Sequence, residues 1–369
     1  MGEREPARSR PGARGVSEPI PGRGIPAATW PRPSVSARLL RVDPQGEALG
    51  DGRVRDLPEI LRPGDLLVVN DAGTLPASLC GESRSGPVEV RLAGPPADGP
   101  AHRGRWTAVL FGAGSWKERT EDRPAPPRLD PGDRVFFGGG ALSADVIALS
   151  VVSPRLVELR FDRDDDALWP VLFRVGRPVQ YSYLRGPLSL WHVQTAYGAR
   201  PWAVEMPSAG WPLVLPLLRR LRAAGVGVAA LTHAAGLSST GDPALDAALP
   251  LPERSDIPAA TVQAIEAAKG AGGRIVAAGT TVVRALEGRA ADGGLRPGVS
   301  TTSLRLGPRH ARRVVDGLLT GLHAPGESHF ELLQAFAPRP LLERAVDHAR
   351  SAGYLGHEFG DLSLILPIR

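Results

Sequence analysis

Apolar residues in this chain follow two rhythms, and the change from one to the other is marked by Gly and Pro. Leu57 to Leu61 makes one short helical turn, Pro63-Gly64 stops it, and Leu66-Leu67-Val68-Val69 follows as an unbroken apolar run ending on the polar pair Asn70-Asp71. From Val88 to Phe161 the segments VEVRL, WTAVLF, DRVFF, ADVIALSVV and RLVELRF are short and rich in β-branched and aromatic residues, with Gly, Pro and Asp turns between them. The loop Gly94 to Gly104 and the segment Lys117 to Arg128 read as exposed turns of this block. From Trp169 the periods alternate. A helix at Leu213 to Ala224 stops at Gly225, Val226 to Leu231 is a strand, Pro258 to Lys269 a helix and Arg274 to Ala278 a strand. Further helices are expected at Arg309 to Leu319, Glu331 to Phe336 and Pro340 to Ala352. The pattern predicts an α/β fold: a larger domain with a mixed sheet (35–80 and 166–369) and a smaller antiparallel β-barrel-like domain inserted at 81–165. Residues 1–34, rich in Pro, Gly and Arg, are expected as a disordered tail.

With 369 residues the chain exceeds a single core, which stops growing at roughly 250 to 300 residues. Its 42% apolar and 22% charged content is that of a soluble globular protein, and no apolar run approaches the roughly 20 residues of a membrane span, so no membrane partner is expected. Cys80 is the only cysteine, which excludes an internal disulfide framework and any multi-cysteine metal site; together with the lack of an export signal it implies the cytoplasm. The formal charge of +5 permits an RNA partner without demanding one.

Chemistry concentrates in GGRIVAAGTTVVRALE, Gly272 to Glu287. A short strand, a Gly-Thr-Thr turn and a helix start would present the free N–H groups of Gly279, Thr280 and Thr281 to a carboxylate, phosphate or ribose, with Arg284 on nearly the same helix face. Taken alone, the segment equally fits a plain Thr cap with Arg284 in water. Other site types fail. KGAGGR at 269–274 has its helix before and its strand after the glycines, the reverse of a dinucleotide fingerprint. GLSSTG at 236–241 lacks the spacing of a hydrolase elbow. His323, Glu327 and His329 match no usual metal spacing, so no metal is expected.

Several segments, in order, resemble one family. RPGDLLVVNDAGTLPASL (62–79), VQTAYGARPWAVEMPSAGWPL (193–213), LPERSDI (251–257), GGRIVAAGTTVVRALE, LLTGLHAPGESHFELLQAFA (318–337) and FGDLSLIL (359–366) are similar to motifs of the S-adenosylmethionine:tRNA ribosyltransferase-isomerases of queuosine biosynthesis. The resemblance implies transfer and isomerisation of the ribosyl part of S-adenosylmethionine onto 7-aminomethyl-7-deazaguanine at the tRNA wobble position, with loss of adenine and methionine. The co-substrate would be S-adenosylmethionine and the partner a tRNA anticodon stem-loop; a divergent member would use another acceptor, or only bind S-adenosylmethionine or RNA.

On this resemblance Asp71, Glu253, His323 and Asp361 are expected in catalysis, His323 by protonating the departing adenine or holding a ribose hydroxyl. Asn70, Gln194, Tyr197, Gly279, Thr280, Thr281 and Arg284 are expected to bind substrate. Gln194 and Tyr197 would meet the base, and Arg284 the methionine carboxylate or a phosphate. Alanine at Arg284 or at Asp361 is expected to abolish or greatly slow adenine release while leaving the fold intact. Positions where the family has Arg, His, His and Asp hold Gly73, Pro212, Ala234 and Ser303. His233 adjoins Ala234, but neighbouring strand residues face opposite ways, so it is not expected to stand in.

Overall fold

The computed structural model describes residues 24–94 and 104–367, so the expected tail up to Arg23 and most of the Gly94 to Gly104 loop lie outside the described residues. In chain order the strands are β1 (Arg38–Asp43), β2 (Ala48–Arg53), β3 (Leu66–Asn70), β4 (Ala72–Thr74), β5 (Ser78–Ser83), β6 (Gly86–Gly94), β7 (Arg105–Phe111), β8 (Arg134–Phe137), β9 (Leu142–Leu149), β10 (Leu156–Phe161), β11 (Arg200–Ala203), β12 (Gly227–His233), β13 (Glu253–Ile257), β14 (Ile275–Ala278), β15 (Gly298–Thr302), β16 (Gly317–Gly321) and β17 (Leu362–Ile365). The helices are α1 (Leu57–Ile60), α2 (Asp165–Val175), α3 (Leu215–Ala223), α4 (Pro243–Ala248), α5 (Ala259–Gly270), α6 (Thr280–Ala291), α7 (Ser328–Leu333) and α8 (Arg339–Ser351).

The mixed sheet has the order β15-β13-β12-β3-β14-β16-β17-β1-β2. Its centre, β12-β3-β14-β16, is parallel throughout. This is why LLVVN and IVAA are apolar along their whole length: both faces are covered. Leu66, Val68, Ile275 and Ala277 pack towards α5, α6 and α8, while Leu67, Val69, Val276 and Ala278 pack towards α1 and α3. Strands β5 to β10 close an antiparallel barrel in the order β10-β7-β6-β5-β8-β9, filled by residues such as Val90, Phe111, Phe137 and Leu159. The expected fold class, a mixed α/β sheet with a smaller antiparallel barrel, is the one observed.

Two local expectations are corrected. Gly24 to Pro33 is not loose: Ala27 bridges to Gly356, Arg32 pairs with Asp361 at 2.7 Å, and Ala28 is buried beside Leu184, Met206 and Phe359. Its few apolar side chains find a surface that no linear pattern shows. Arg309 to Leu319 forms no helix. The carboxylate of Glu287, fully buried on α6, accepts the N–H groups of Arg313, Val314 and Val315 at 2.9, 3.0 and 2.9 Å and fixes that stretch in a bend until β16 begins.

The sheet also depends on close backbone approach at Gly273, where a Cβ would lie 2.0 Å from the carbonyl oxygen of Gly64, whereas a Cβ on Gly270 would meet nothing within 4 Å. Gly273→Ala is expected to cost about 1–3 kcal/mol through overpacking against backbone that cannot yield. Gly270→Ala, at the last residue of α5, is expected to be neutral or slightly stabilising; urea unfolding of the two variants measures the contrast.

Candidate active site

The side-chain alternation of β3 divides the expected polar residues between two faces. Asn70 follows Leu66 and Val68 to the α6 face, and Asp71 continues the Leu67 and Val69 series to the α3 face. On the α6 face the Asn70 amide joins three elements. Its oxygen accepts the N–H groups of His233 (2.9 Å) and Ala72 (3.1 Å), and its nitrogen donates to the His233 carbonyl (3.0 Å) and to Thr281 Oγ1 (3.3 Å).

Gly279 sits between β14 and α6 with φ 103°, a conformation that favours glycine, and donates to Leu319 O at 2.8 Å. Its carbonyl takes the N–H groups of Val282 and Val283, and among the described residues the N–H groups of Thr280 and Thr281 have no acceptor. The 12-residue helix α6 therefore presents its positive end at the carboxyl edge of the parallel strands. One turn on, the buried Arg284 forms an ion pair with Glu253, donates Nε to Leu304 O at 3.1 Å, and leaves Nη2 without a partner among the described residues. Glu253 also accepts Gly236 N at 2.8 Å. His233 completes the group. Its ring is fully buried 3.4 Å from Glu253, and among the described residues neither ring nitrogen has a hydrogen-bond partner. Burial, and then the Arg284 charge, push His233 down to about 3, so the ring is neutral at pH 7. Burial, and then the charge of Arg305, lower Arg284 to about 10, which leaves it cationic.

Beyond the end of β16, His323 lies 3.2 Å from Thr320 Oγ1 and 3.3 Å from Glu327, with its ring 4.7 Å from that of His329. His329 is pushed down to about 3 by burial and by the facing His323. On the α3 face Asp71 accepts the Thr232 hydroxyl, and Arg200 donates to Thr232 (2.9 Å) and to Asp256 (2.6 Å). Asp71, Tyr197, Arg219 and Arg222 line a groove of about 430 Å³ there, floored by Val69 and Leu218. Burial, and then Asp71, raise the Tyr197 phenol well above its ordinary value.

Comparison with known proteins decides the family. Residues 24–365 match the model of the queuosine biosynthesis protein family. This chain belongs to that family. It is 36% identical over 345 residues to the S-adenosylmethionine:tRNA ribosyltransferase-isomerase of Synechococcus elongatus, covering 91% of this chain and 90% of that protein. It is 36% identical over 353 residues to the protein of the same name from a Methylobacterium species, covering 90% and 92%. The crystal structure of the S-adenosylmethionine tRNA ribosyltransferase of Thermotoga maritima shares the fold, with TM-score 0.50 and 24% identity over 93% of this chain and 96% of that one.

Set against the expectations for this family, the structure gathers Asn70, Glu253, Gly279, Thr280, Thr281 and Arg284, with His323 at the neighbouring strand end. It does not bring in Asp361. That carboxylate, 1% exposed, accepts Arg32 Nη2 (2.7 Å), Arg38 N (2.8 Å) and Leu355 N (2.9 Å), which makes it a structural anchor. Gln194 holds the Thr74 backbone with its amide, accepting at 3.0 Å and donating at 2.9 Å. Alanine at Asp361 would strand Arg32 and two N–H groups, and alanine at Arg284 would strand the buried Glu253 carboxylate, so neither is replaceable without cost to the fold.

The four family positions that differ stand on separate elements: Gly73 in β4, Pro212 before α3, Ala234 after β12, and Ser303, exposed, after β15. β12 turns the His233 ring onto the α6 face beside Arg284 and Glu253, a place the sequence reading did not assign it. His329 and the pairs Tyr181–Glu205 and Tyr183–Glu358 were also missed in the sequence; only the i, i+2 spacing of the tyrosines hinted at a shared side.

Because the folded protein holds His233 far below its ordinary 6.5, the unfolded chain binds a proton that the folded chain refuses. Stability is therefore expected to be full above about pH 6.5 and to fall towards pH 3, at up to about 1.4 kcal/mol per pH unit from this residue. Urea unfolding at several pH values should show a shallower slope in His233→Gln than in the parent.

Proposed function

We propose that this protein transfers and isomerises the ribosyl moiety of S-adenosylmethionine onto 7-aminomethyl-7-deazaguanine in tRNA, forming epoxyqueuosine and releasing adenine and methionine. The observation that carries the reading is the family match along residues 24–365, supported by 36% identity to relatives named for this transfer. The anticodon stem-loop is the part of the tRNA that offers the wobble base.

The chemistry asks for little beyond placed polar groups. A sulfonium acidifies the adjacent C5′ hydrogens, adenine leaves once protonated, and the substrate amine attacks the sugar. The unpaired N–H groups of Thr280 and Thr281 and the positive end of α6 suit the methionine carboxylate. Arg284 reinforces that charge from one turn away, and Glu253 holds Arg284 in place. Asn70 fixes the Thr281 hydroxyl and the end of β12. His323, half-buried between Thr320 and Glu327, is the group suited to protonate adenine, because its ring lies beyond the end of β16 and reaches solvent. Asp71 and Tyr197 stand at an open groove on the α3 face and form a second wall for the RNA-borne base. Among the described residues no group of three or more His, Cys, Asp or Glu is arranged to hold a metal, and no helix is long and apolar enough to cross a membrane.

The test is incubation of the purified protein with S-adenosylmethionine and a stem-loop carrying the aminomethyl base. Adenine release together with the mass increment of the epoxycyclopentanediol on the RNA is expected; bound S-adenosylmethionine without release would overturn the reading. His323→Ala is expected to slow release by about 10²- to 10⁴-fold while S-adenosylmethionine binding persists.

A further inference from the structure

The groove on the α3 face, about 430 Å³ in volume, runs away from the strand ends along the length of α3. Its helical wall is Leu215, Leu218, Arg219 and Arg222, which stand at i, i+3, i+4 and i+7 and so form one stripe. Its floor is the half-buried first half of β12. The connection from α3 to β12 is only the turn Ala224 to Val226, and the helix packs back on the strand it feeds, so the two run in opposite directions. Arg222 therefore lies at the amino end of β12, and Leu215 at the carboxyl end beside Asp71 and Tyr197. The Tyr197 hydroxyl, which donates to Gly210 O at 3.3 Å just before the helix, fixes that end.

The two ends differ in charge. Asp71, at the strand ends, is the acid among the lining residues, and it accepts the Thr232 hydroxyl. Helix α3 has three arginines and no acid. One of them, Arg220, stands off the stripe and is occupied, donating to Glu59 at 2.8 Å and to Arg55 O at 3.1 Å. Arg219 and Arg222 are exposed, one helical turn apart, and among the described residues neither guanidinium has a hydrogen bond or an ion pair. Nothing within the protein neutralises the pair that faces the groove.

We propose that Arg219 and Arg222 bind phosphates of the acceptor RNA on the strand that carries the reacting base, with the groove as the track of that strand. The assignment rests on the reading that the acceptor is RNA-borne. Two cations one turn apart along an open groove suit a ligand that repeats its negative charge along its length, and the guanidinium fork matches phosphate oxygens in pairs. A free phosphate would use one of them. The apolar side chains between Arg219 and the strand ends accept sugar and base faces, and Asp71, next in sequence to Asn70, lies where the groove meets the candidate site. Phosphate contacts of this kind set register and carry no sequence information, so the arginines position the RNA while the strand ends select the base.

The experiment measures binding of an unmodified anticodon stem-loop to the full-length protein over a series of salt concentrations, for the parent, Arg219→Gln, Arg222→Gln, the double variant and Arg220→Gln. Each groove substitution should weaken binding about tenfold, the lower end for a hydrogen bond to a charged group, and reduce the slope of log affinity against log salt by about 0.7. The double variant should lose about twice that slope. Arg220→Gln removes the same charge from the same helix outside the groove and should bind as the parent does, and all variants should bind S-adenosylmethionine alike. With RNA carrying the aminomethyl base, the double variant should show a raised KM for RNA and an unchanged kcat. Parent affinity and slope in the groove variants, or an equal loss in Arg220→Gln, would overturn this assignment alone. Poly-glutamate bound as tightly as the stem-loop through the same two arginines would assign the groove to an acidic protein instead and overturn it too. A parent that binds the RNA through these arginines but releases no adenine would overturn the proposed function and leave the phosphate assignment standing.

Discussion

The candidate site depends on the side-chain amide of Asn70. A buried amide must satisfy both ends, and here both ends are satisfied by other elements: its oxygen by two backbone N–H groups, its nitrogen by the His233 carbonyl and the Thr281 hydroxyl. One residue thereby sets the ends of two parallel strands and the first turn of α6 in a single relation. An aspartate there would lose the donor, and a leucine would leave several backbone groups unpaired in a region without water. The requirement is geometric as much as energetic, because the unpaired N–H groups at the start of α6 point usefully only if that helix begins in register with β3 and β12.

From that joint the two faces of the sheet take different tasks. The α6 face is dry, and its charges are locked in pairs, Arg284 with Glu253 and Glu287 with the backbone of Arg313 to Val315. The α3 face is open, and its polar groups, Asp71, Thr232 and Arg200, line or border a groove. Charge sealed on one face gives a rigid electrostatic floor, while the other face can admit a large partner. A small co-substrate and a macromolecular one can thus approach the same strand ends from different sides.

Much of this was legible in the chain. The unbroken apolar runs at Leu66 to Val69 and Ile275 to Ala278 announced buried parallel strands, the β-branched block announced the barrel, and Gly279-Thr280-Thr281 announced the helix start. Illegible were features set by partners distant in sequence. Asp361 and Gln194 look like chemistry in a motif, but they also bind Arg32 and Thr74, 329 and 120 residues away. The place of His233 beside Arg284 and Glu253 was not legible, because the face a strand residue occupies depends on where the strand begins, and a one-residue choice of register reverses it. The apparent helix at Arg309 to Leu319 was unmade by the carboxylate of Glu287, whose burial no local pattern reveals.

The order of strands in the large sheet bears on how the protein is made. Strand β1 pairs with β17, Leu39 opposite Leu362, and β17 also flanks β16, whose end leads to His323. Strand β1 therefore waits for β17, with more than 300 intervening residues already synthesised. The barrel strands lie close together in sequence and can close early, but the sheet and the strand ends that carry the candidate site can be completed only once β17 has been made. A pause or truncation near the C-terminus would thus leave a formed barrel attached to an open sheet edge, which is exposed to pairing with other chains and to chaperone capture.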